Sequence, residues 1–479
     1  MNTSTRLYLA IDQGSHASRA SLHEENGRPI SSATVAIHTH HPHPDQVEHD
    51  AEEVVASVQA AIAEVLHHAG SFPIVASGMA TQRSSVVCWD KYSGISLSPV
   101  ISWQDRRTAK WLQQYEGRTS EIRERTGLPL SSHYGASKLR WCLDHLSAVQ
   151  SAWKEQRLAC GPLASFLSYR LTEERTLCCD PANASRTLLW NLDSSNWDPV
   201  LTDLFGVPAA ALPPCVFTRH AYGHIPAENR RIPLVLVTGD QSAALFSADE
   251  GAPGSVVINL GTGAFLQQAL PRRPSSSRLL ASVAYQDHAT RLYAQEGTVN
   301  GAGNALAWIA GQLGLDKEEI TRRLPEWLRE IGNPPLFLNG VAGLGTPYLI
   351  PQFASRFVGD GSPPAKCVAV IESIVFLLKV NLEEMAGTTA PATRITISGG
   401  LSRLDGLCQR LADLSGLPLF RPADHEASVR GLVRLLTGKS QTDGNEAEEK
   451  RFLPHTNPQL ATRFHDWRKN LESTLGSQL

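Results

Sequence analysis

Apolar positions along the chain follow two patterns, and each predicts a different kind of secondary structure. Short apolar runs bounded by polar residues or glycine predict buried strands, whereas apolar residues at helical spacing predict amphipathic helices. Strands that alternate with helices are typical of an α/β fold. The strands are expected at Leu7 to Ile11, Ile74 to Met79, Ser85 to Trp89, Leu234 to Val237, Val256 to Leu260 and Arg394 to Ile397, and the helices at Ala51 to His67, Lys138 to Leu146, Asn304 to Leu313 and Ala369 to Met385.

Two of the predicted strands, which begin near Leu9 and Val257, run into glycine turns rich in small hydroxyl residues. Strand-like sequence follows each turn, so each predicts a β-hairpin whose tip presents backbone N–H groups. Glycine allows the tight turn and a close approach of the backbone, and successive amides can bind an anion such as phosphate. Ser15 and Thr262 can each add a hydroxyl donor. Either turn alone also fits a plain hairpin, but the two together predict a nucleotide held between two halves of the chain.

The length of the chain and the positions of the two hairpins indicate its domain organisation. With 479 residues, the chain is long enough for two or three sizeable cores. A boundary is expected near Arg230 to Pro233, which puts one hairpin near the start of each half. We therefore predict domains over residues 1–232 and 233–438, followed by a polar linker and a last helix, near Ala461 to Leu475, within 439–479.

Charge and cysteine content exclude several classes of function. A net charge of −3 and a pI near 6.6 provide no electrostatic basis for binding nucleic acid or an anionic membrane. The eight cysteines are scattered without a CxxC spacing, which suits neither a zinc site nor a dense disulfide framework. No apolar stretch approaches the roughly 18 residues of a membrane span. These features favour a reducing cytoplasm and a small-molecule partner.

Two carboxylates are candidates for chemistry. Asp240 follows the apolar run that ends at Val237 and precedes small residues that predict a helix start, so it is well placed to accept a proton from a substrate hydroxyl. The simpler alternative is that Asp240 only caps this helix. Asp12 precedes the first glycine turn, where it would either hold magnesium through water or only order the turn.

A series of short motifs extends over nearly the whole chain. The motifs are Ile11-Asp12-Gln13-Gly14, Ser18-Arg19-Ala20, Thr81-Gln82-Arg83, Ile101-Ser102-Trp103-Gln104-Asp105-Arg106-Arg107, Asn183-Ala184-Ser185-Arg186-Thr187, Gly239-Asp240-Gln241, Gly261-Thr262-Gly263, Gly343-Leu344-Gly345-Thr346-Pro347-Tyr348 and Ser398-Gly399-Gly400. Their order resembles that of the FGGY family of carbohydrate kinases, on the glycerol kinase side. Agreement of so many motifs in one order is far more specific than any single glycine turn.

This resemblance implies two ribonuclease-H-like domains of the actin, hexokinase and Hsp70 type, with ATP and a polyol in the cleft between them. The N-terminal domain is expected to bind substrate and phosphate, and the C-terminal domain to bind nucleotide and carry the base. Asp240 becomes the expected general base, and Asp12 the expected catalytic ligand of Mg²⁺. A homodimer is left open. The residues expected at the nucleotide are Gly14, Ser15, His16 and Arg19 in the first half, and Gly261, Thr262, Gly263, Gly303, Gly399 and Gly400 in the second.

The expected substrate contacts include two departures from the glycerol kinase pattern. Ser84 stands where glycerol kinases have a glutamate that accepts hydrogen bonds from glycerol. His133 stands where they have a tyrosine if the alignment has no gap there, and the adjacent Tyr134 takes that place if the register slips by one residue. Loss of a hydrogen-bonding partner usually weakens a site built around it. Glycerol is therefore not expected as the best substrate, and a longer polyol or a ketose has space to enter. The other substrate-binding residues are expected to be Arg83, Trp103, Asp240, Gln241 and Phe265.

Further departures concern the nucleotide and leave an alternative function open. Ala307 and Leu404 replace polar residues that the family often has near the adenine, so nucleotide preference is not predicted. The alternative to a kinase is a catalytically weak nucleotide-binding regulator with the same fold, since fold alone does not guarantee activity. The identity of the polyol or sugar, and which of its hydroxyls is phosphorylated, do not follow from the sequence.

Overall fold

A computed structural model of the chain describes residues 6–70, 72–227, 229–247, 254–274, 278–387, 391–422, 426–438 and 449–476. Strands and helices alternate along it, as the apolar pattern predicts. The strands are β1 (Leu7–Gln13), β2 (Ala17–Glu24), β3 (Pro29–Ala36), β4 (Glu48–His49), β5 (Ile74–Thr81), β6 (Val86–Asp90), β7 (Val100–Ile101), β8 (Leu158–Pro162), β9 (Trp190–Asn191), β10 (Asn196–Trp197), β11 (Arg219–Ala227), β12 (Arg230–Gly239), β13 (Ser255–Leu260), β14 (Ala264–Leu270), β15 (Leu280–Gln286), β16 (Arg291–Val299), β17 (Leu336–Leu338), β18 (Arg356–Val358), β19 (Arg394–Ser398), β20 (Leu419–Arg421) and β21 (Lys450–Phe452).

The α-helices are α1 (Ala51–Leu66), α2 (Ala109–Leu112), α3 (Thr119–Thr126), α4 (Gly135–His145), α5 (Ser147–Lys154), α6 (Leu163–Leu171), α7 (Pro181–Ala184), α8 (Pro199–Phe205), α9 (Asp240–Ala244), α10 (Gly303–Leu313), α11 (Lys317–Glu330), α12 (Pro363–Ala386), α13 (Asp405–Ser415), α14 (Ala427–Thr437) and α15 (Pro458–Gly476).

The first large sheet is built from the N-terminal half of the chain, in the order β11-β12-β5-β1-β2-β3. Its three central strands β12, β5 and β1 run parallel, and the outer strands join them antiparallel. Helices α1 and α6 cover one face of this sheet, and their apolar side chains form one buried cluster with it. Because parallel strands end at the same edge, residues that follow β1, β5 and β12 are brought together there.

The second large sheet is built from the C-terminal half, in the order β15-β16-β14-β13-β19-β20-β21. Strands β13 and β19 are parallel, and β13 and β14 form the second glycine hairpin. Helices α10, α11, α12, α13 and α15 pack with this sheet into the most extensive buried apolar cluster. Each half of the chain therefore has its own sheet and its own core.

A smaller sheet, β4-β7-β6-β8, lies beside the first large sheet and adjoins segments that the sequence analysis expects at the substrate. Its core includes buried side chains of α4, α5 and α8. Strand β5 of the first large sheet ends shortly before Arg83, Ser84 and Ser85, and strand β6 of the smaller sheet begins directly after them. The two sheets therefore hold this segment at both of its ends.

The predicted secondary structure agrees with the structure at the elements that were named. Both glycine turns connect antiparallel strands, β1 with β2 and β13 with β14. Asp50 is the N-cap of α1, and its carboxylate accepts hydrogen bonds from the backbone N–H groups of Glu52 and Glu53. The last helix spans Pro458–Gly476, slightly longer than expected. The polar linker that precedes it lies mostly outside the described residues.

The boundary expected between residues 232 and 233 falls inside β12, which is hydrogen bonded along its length within the first sheet. The sequence change near Arg230 marks the turn into this strand and not the end of the sheet. Helix α14, expected in the second domain, also packs on the first sheet, where Leu432 and Val433 are buried against Ala10 and Leu236. The chain therefore returns to its first half after β20 and adds the edge strand β21 to the second sheet afterwards.

No helix within the described ranges is long and apolar enough to cross a membrane.

Candidate active site

The carboxyl ends of the three parallel strands in the first sheet bring the central candidate residues together. Gln13 and Gly239 both lie opposite Thr81 in the strand register. Asp12 therefore precedes the end of β1, Arg83 follows β5 and Asp240 follows β12, all at one edge of the sheet. The guanidinium Nε of Arg83 lies 3.8 Å from Oδ1 of Asp240.

Asp240 is the first residue of the short helix α9, and its side chain does not make the N-cap bond. Its Oδ1 accepts a hydrogen bond of 2.6 Å from the backbone N–H of Gln241, and the side chain is 25% exposed. Burial raises the pKa of Asp240 above its ordinary value, and the nearby positive charge of Arg83 opposes that rise. A half-buried carboxylate with a raised pKa is suited to accept a proton.

Asp12 is half-buried on β1 and lies close enough to Asp240 for the two carboxylates to affect each other. Burial and the negative charge of Asp240 raise the pKa of Asp12 to about 7, while Arg19 lowers it. Arg19 is also its neighbour across the hairpin. Two carboxylates whose negative charges are only partly balanced are hard oxygen ligands of the kind that Mg²⁺ prefers.

Arg83 is held by a carboxylate of the second sheet that the sequence analysis does not name. Its Nη1 and Nη2 atoms donate hydrogen bonds of 2.6 and 3.0 Å to the two carboxylate oxygens of Glu296, on β16. Arg186 and Ser282 also donate to Glu296, at 3.2 and 2.8 Å. The sequence signal that could have identified Glu296 is a glutamate within a segment that predicts a buried strand. A buried charge requires a partner, so such a glutamate predicts an ion pair.

The arginines around Glu296 keep it ionised in a fully buried position. The positive charges of Arg186 and Arg83 and their hydrogen bonds outweigh the effect of burial and lower the pKa of Glu296 to about 2. The Nε atoms of both arginines are buried and have no hydrogen-bond partner within the described ranges. The Nε of Arg83 therefore remains available on the side that faces Asp240.

Ser84 is buried in an unusual backbone conformation, with φ of 64°. Its hydroxyl has no hydrogen-bond partner in the part of the chain that the structure describes. Its carbonyl accepts a hydrogen bond of 3.2 Å from Nζ of Lys138, which also donates to the carbonyl of His133 at 2.7 Å. Lys138 thus joins the two positions at which the sequence departs from glycerol kinases.

His133 is half-buried and adjoins Trp103, with ring centroids 5.5 Å apart. Burial and the positive charges of Arg186, Lys138, Arg106 and Arg83 hold its pKa well below the ordinary value. His133 is therefore a neutral imidazole at physiological pH, able to donate and accept one hydrogen bond each.

The first glycine hairpin is hydrogen bonded to residues near those expected to bind substrate. Gly14 closes the turn through a bond from its N–H to the carbonyl of Ala17, at 2.9 Å. The indole Nε1 of Trp103 donates to the hydroxyl of Ser15 at 2.9 Å. Ser15 in turn donates to Oε1 of Gln82 at 3.3 Å, and His16 is exposed at the tip. Residues expected at phosphate and at substrate are thereby connected.

Arg19, expected at a phosphate, has a protein partner in this structure. Its Nη1 forms an ion pair of 2.7 Å with Glu426, at the start of α14, and its Nε donates to Thr34 at 3.2 Å. The Arg19 side chain is 31% exposed and that of Glu426 is 35% exposed. This contact is the salt bridge that competes with a phosphate role.

The second glycine hairpin has a compact backbone. Gly261 donates to the carbonyl of Gly263, Thr262 is exposed, and Gly303 donates to the carbonyl of Gly261 at 3.1 Å. A Cβ at Gly303 would lie 2.6 Å from that same carbonyl oxygen. Gly399 has φ of 92°, and a Cβ there would lie 2.5 Å from the carbonyl oxygen of Leu260. These glycines let three chain segments approach each other closely.

The remaining residues that the sequence analysis names lie next to Asp240, on β14 or elsewhere in the second half of the chain. Gly400 is exposed at the start of a short 3₁₀ helix, and Gln241 is half-buried beside Asp240. Phe265 is half-buried on β14, and the bonds among the described residues do not join it to the other side chains expected to bind substrate. Ala307 is exposed on α10, whereas Leu404 is buried in the second core.

Comparison with known proteins agrees with this fold. Residues 7–247 match the N-terminal domain of the FGGY family of carbohydrate kinases, and residues 256–437 match its C-terminal domain. The glycerol kinase of Citrifermentans bemidjiense is 32% identical, over 98% of both chains. That of Trichlorobacter lovleyi is 36% identical, over 89% of this chain and 88% of that protein.

Solved structures resemble the whole chain as well. The crystal structure of Plasmodium falciparum glycerol kinase with ADP has a TM-score of 0.89 at 20% identity, covering 98% of each chain. That of gluconate kinase from Lactobacillus acidophilus has a TM-score of 0.85, also at 20% identity, and covers 99% of this chain and 98% of that one. At this identity the likeness concerns the fold.

The fold, with a carboxylate and an arginine at the edge of three parallel strands, defines a two-domain α/β kinase of a small carbohydrate or polyol with ATP as co-substrate. The chain belongs to the FGGY family of carbohydrate kinases.

Proposed function

We propose that Asp240 is the general base in the transfer of the γ-phosphoryl group of ATP to a hydroxyl of a small polyol or sugar. The main support for this proposal is the position of Asp240 at the sheet edge where three parallel strands end. Its side chain is half-buried, its pKa is raised, and Nε of Arg83 lies 3.8 Å from its carboxylate. The substrate oxygen attacks the γ-phosphorus while its proton passes to Asp240, and the bond to the ADP oxygen breaks. Positioning then supplies most of the remaining rate enhancement.

Asp12 is the residue that would hold Mg²⁺, and the Asp12–Asp240 pair fits this ion. The pKa of Asp12, raised to about 7, reflects burial and the negative charge of the neighbouring Asp240, both of which a divalent cation would offset. When bound, Mg²⁺ neutralises charge on the phosphate oxygens. Asp12 would hold the ion from its position on β1, shortly before the turn of the first hairpin.

The two glycine hairpins support binding of the nucleotide. The exposed tip at Ser15 and His16 presents backbone N–H groups to phosphate, and Arg19 is next to this tip. In the second half, the close packing around Gly303 and Gly399 keeps Thr262 exposed. Gly400 is also exposed there. Because Ala307 and Leu404 lack polar side chains, base-specific contacts from these two positions are absent, and a loose nucleotide preference is expected.

Arg83, Ser84, Trp103, His133 and Gln241 are proposed to hold the substrate, with Phe265 from the second sheet. The short side chain of Ser84 leaves its hydroxyl buried and unsatisfied, which a substrate hydroxyl can correct. Relatives and structural neighbours include proteins named glycerol, gluconate and xylulose kinases. Within this range we propose a substrate longer than glycerol.

The decisive test is a coupled ADP-release assay with ATP and magnesium on purified protein. The panel contains glycerol, tetritols, pentitols, ketoses and the sugar acids that correspond to the polyols. Turnover at least about a hundredfold above background, equal to about 2.7 kcal/mol of barrier lowering, is expected with at least one compound. If no compound in the panel stimulates ADP release although ATP binds in a separate assay, the result would favour the catalytically weak nucleotide-binding regulator.

The matched variant is Asp240→Asn, which keeps the shape of the side chain and removes the base. It is expected to reduce transfer by at least about a hundredfold, within the range typical of general-base removal, while ATP binding is retained. Unchanged turnover in the Asp240→Asn variant would show that Asp240 is not the general base.

Gel filtration of the wild-type protein would show whether a homodimer forms.

A further inference from the structure

The wall of the substrate site around His133 is made of residues linked directly to one another. Nζ of Lys138 bonds the carbonyls of Ser84 and His133. The ring of Trp103 lies 5.5 Å from that of His133, and Nη1 of Arg106 donates to the carbonyl of Trp103 at 2.9 Å. These five residues, Ser84, Trp103, Arg106, His133 and Lys138, are called the His133 wall below.

One guanidinium at this wall has no ion pair within the described part of the chain. Arg83 and Arg186 share the carboxylate of Glu296, and Arg83 also lies 3.8 Å from Asp240. Arg107 is paired with Asp105 and Glu48, but its neighbour Arg106 has no carboxylate oxygen within 4.0 Å among the described residues. The side chain of Arg106 belongs to an exposed residue, so a ligand can reach it.

The electrostatic surroundings of His133 are consistent with this arrangement. Burial and the positive charges of Arg186, Lys138, Arg106 and Arg83 hold the pKa of His133 well below its ordinary value. Burial, Arg106 and Arg107 lower the pKa of the buried Lys138 as well, and Asp105 opposes that change. The guanidinium of Arg106, unpaired within the described ranges, therefore disfavours further positive charge at the wall and attracts an anion.

One unsatisfied polar atom also belongs to this wall. The hydroxyl of Ser84 is buried without a hydrogen-bond partner in the described ranges. A carboxylate in place of Ser84 would supply negative charge here. A ligand rich in oxygen atoms, with one end negatively charged, would satisfy both needs at once.

We propose that the substrate is a small polyhydroxy acid whose carboxylate binds at the His133 wall, with Arg106 as its main charged partner, while a hydroxyl further along its chain faces Asp240. This inference rests on the proposed kinase function and specifies the substrate class. The phosphorylated group is a hydroxyl and not the carboxylate, because the base needs a proton to remove. The new bond joins this oxygen to the γ-phosphorus, ADP leaves, and the acid's carboxylate is unchanged.

Matched substrates test the proposal directly. Glycerate is compared with glycerol, erythronate with erythritol, and gluconate with glucitol, because the members of each pair differ only in a carboxylate that replaces a terminal CH₂OH group. We expect kcat/KM for at least one acid to exceed that of its alcohol by about tenfold or more, as for one charge-assisted hydrogen bond. We also expect this preference to weaken as ionic strength rises.

Two variants identify the wall as the cause. Arg106→Gln removes the charge and is expected to lower the acid-to-alcohol ratio of kcat/KM by about tenfold. Ser84→Glu adds a negative charge to the wall and is expected to lower the same ratio. Arg118→Gln, which removes an exposed arginine paired with Glu121, is the control and should leave the ratio unchanged.

The outcomes separate the inference from the function on which it rests. If an alcohol or ketose is turned over as well as its acid, or if Arg106→Gln changes both members of a pair equally, the acid proposal is wrong and the kinase remains. If no compound in the panel is phosphorylated although ATP binds, the proposed function itself fails, and the acid proposal fails with it.

Discussion

The guanidinium of Arg83 and the carboxylate of Glu296 form a two-bond ion pair across 213 residues of sequence, with N···O distances of 2.6 and 3.0 Å. Both side chains are buried, at 5% and 0% exposure. The pair joins the edge of the first sheet, next to Asp240, to strand β16 of the second sheet. It directs two nitrogen atoms of Arg83 away from Asp240 and leaves Nε facing it.

Glu296→Gln is expected to destabilise the protein and change its pH profile. Removing one partner of a buried pair costs about 3 kcal/mol, so the thermal unfolding temperature should fall. Glu296 raises the pKa of Asp240 and Arg83 lowers it, and the variant removes the first effect while freeing Arg83. The acid limb of kcat/KM should therefore move to lower pH.

The control for this variant is Glu116→Gln, which neutralises an exposed glutamate on the surface. It should alter neither the unfolding temperature nor the pH profile. A Glu296→Gln protein that loses stability but keeps the wild-type acid limb would show that the ion pair supports only the fold.

The wild-type enzyme is expected to lose activity at acid pH through Asp240. The general base must be ionised, and burial raises the pKa of Asp240 above the ordinary 3.8. The groups that face it are Arg83, Glu296, Arg186 and, by its effect on the neighbouring carboxylate, Asp12. A plot of log kcat against pH should bend downward below an apparent pKa higher than 3.8, and a profile flat to that value would contradict the role of Asp240.

Gly303→Ala is expected to disrupt the nucleotide site, and Gly311→Ala in the same helix provides a matched control. A Cβ at Gly303 would lie 2.6 Å from the backbone oxygen of Gly261, so the second hairpin must move. At Gly311 nothing lies within 4 Å, and alanine there should stabilise the helix by about 0.5–1 kcal/mol. Titration with ATP should show weaker binding only in the Gly303 variant; equal binding in both would remove this contact from the nucleotide site.

Glu426→Gln tests whether Arg19 reaches a phosphate. In the structure the carboxylate of Glu426 forms an ion pair with the guanidinium of Arg19. A phosphate of ATP must therefore displace a partly exposed ion pair worth up to about 1 kcal/mol. Removing the competing charge should lower KM for ATP by two- to fivefold, about the equivalent of that free energy. Arg19→Gln should raise it. If neither substitution alters KM for ATP, the arginine serves only the salt bridge.

Asp12→Asn tests the proposed magnesium site. The amide keeps the size of the side chain but is a poorer partner for Mg²⁺, so the concentration needed for half-maximal turnover should rise by about 10- to 100-fold. Saturating magnesium should restore part of the activity. An unchanged magnesium requirement would mean that Asp12 only orders the turn, and full chelation of divalent cations would then identify whether any metal is needed.

Particular elements show how far the sequence could be used to predict this site. The strands before Asp12 and Asp240 follow from local apolar runs, and both glycine turns follow from residue types that allow a tight hairpin. Glu296 could not be placed in the same way, because its partners Arg83 and Arg186 come from distant segments. The boundary expected near residue 232 falls inside β12, because a polar turn at the start of a strand resembles one between domains.

The sequence by itself determined the α/β alternation, the two glycine hairpins and the family, because these depend on short-range periodicity and on motifs in a fixed order. Only the tertiary structure decided that Arg83 pairs with Glu296, that Arg19 pairs with Glu426, and that α14 packs on the first sheet. These contacts join segments far apart in the chain. Their partners are selected by sheet order and by the need of buried charges for compensation, which no local pattern records.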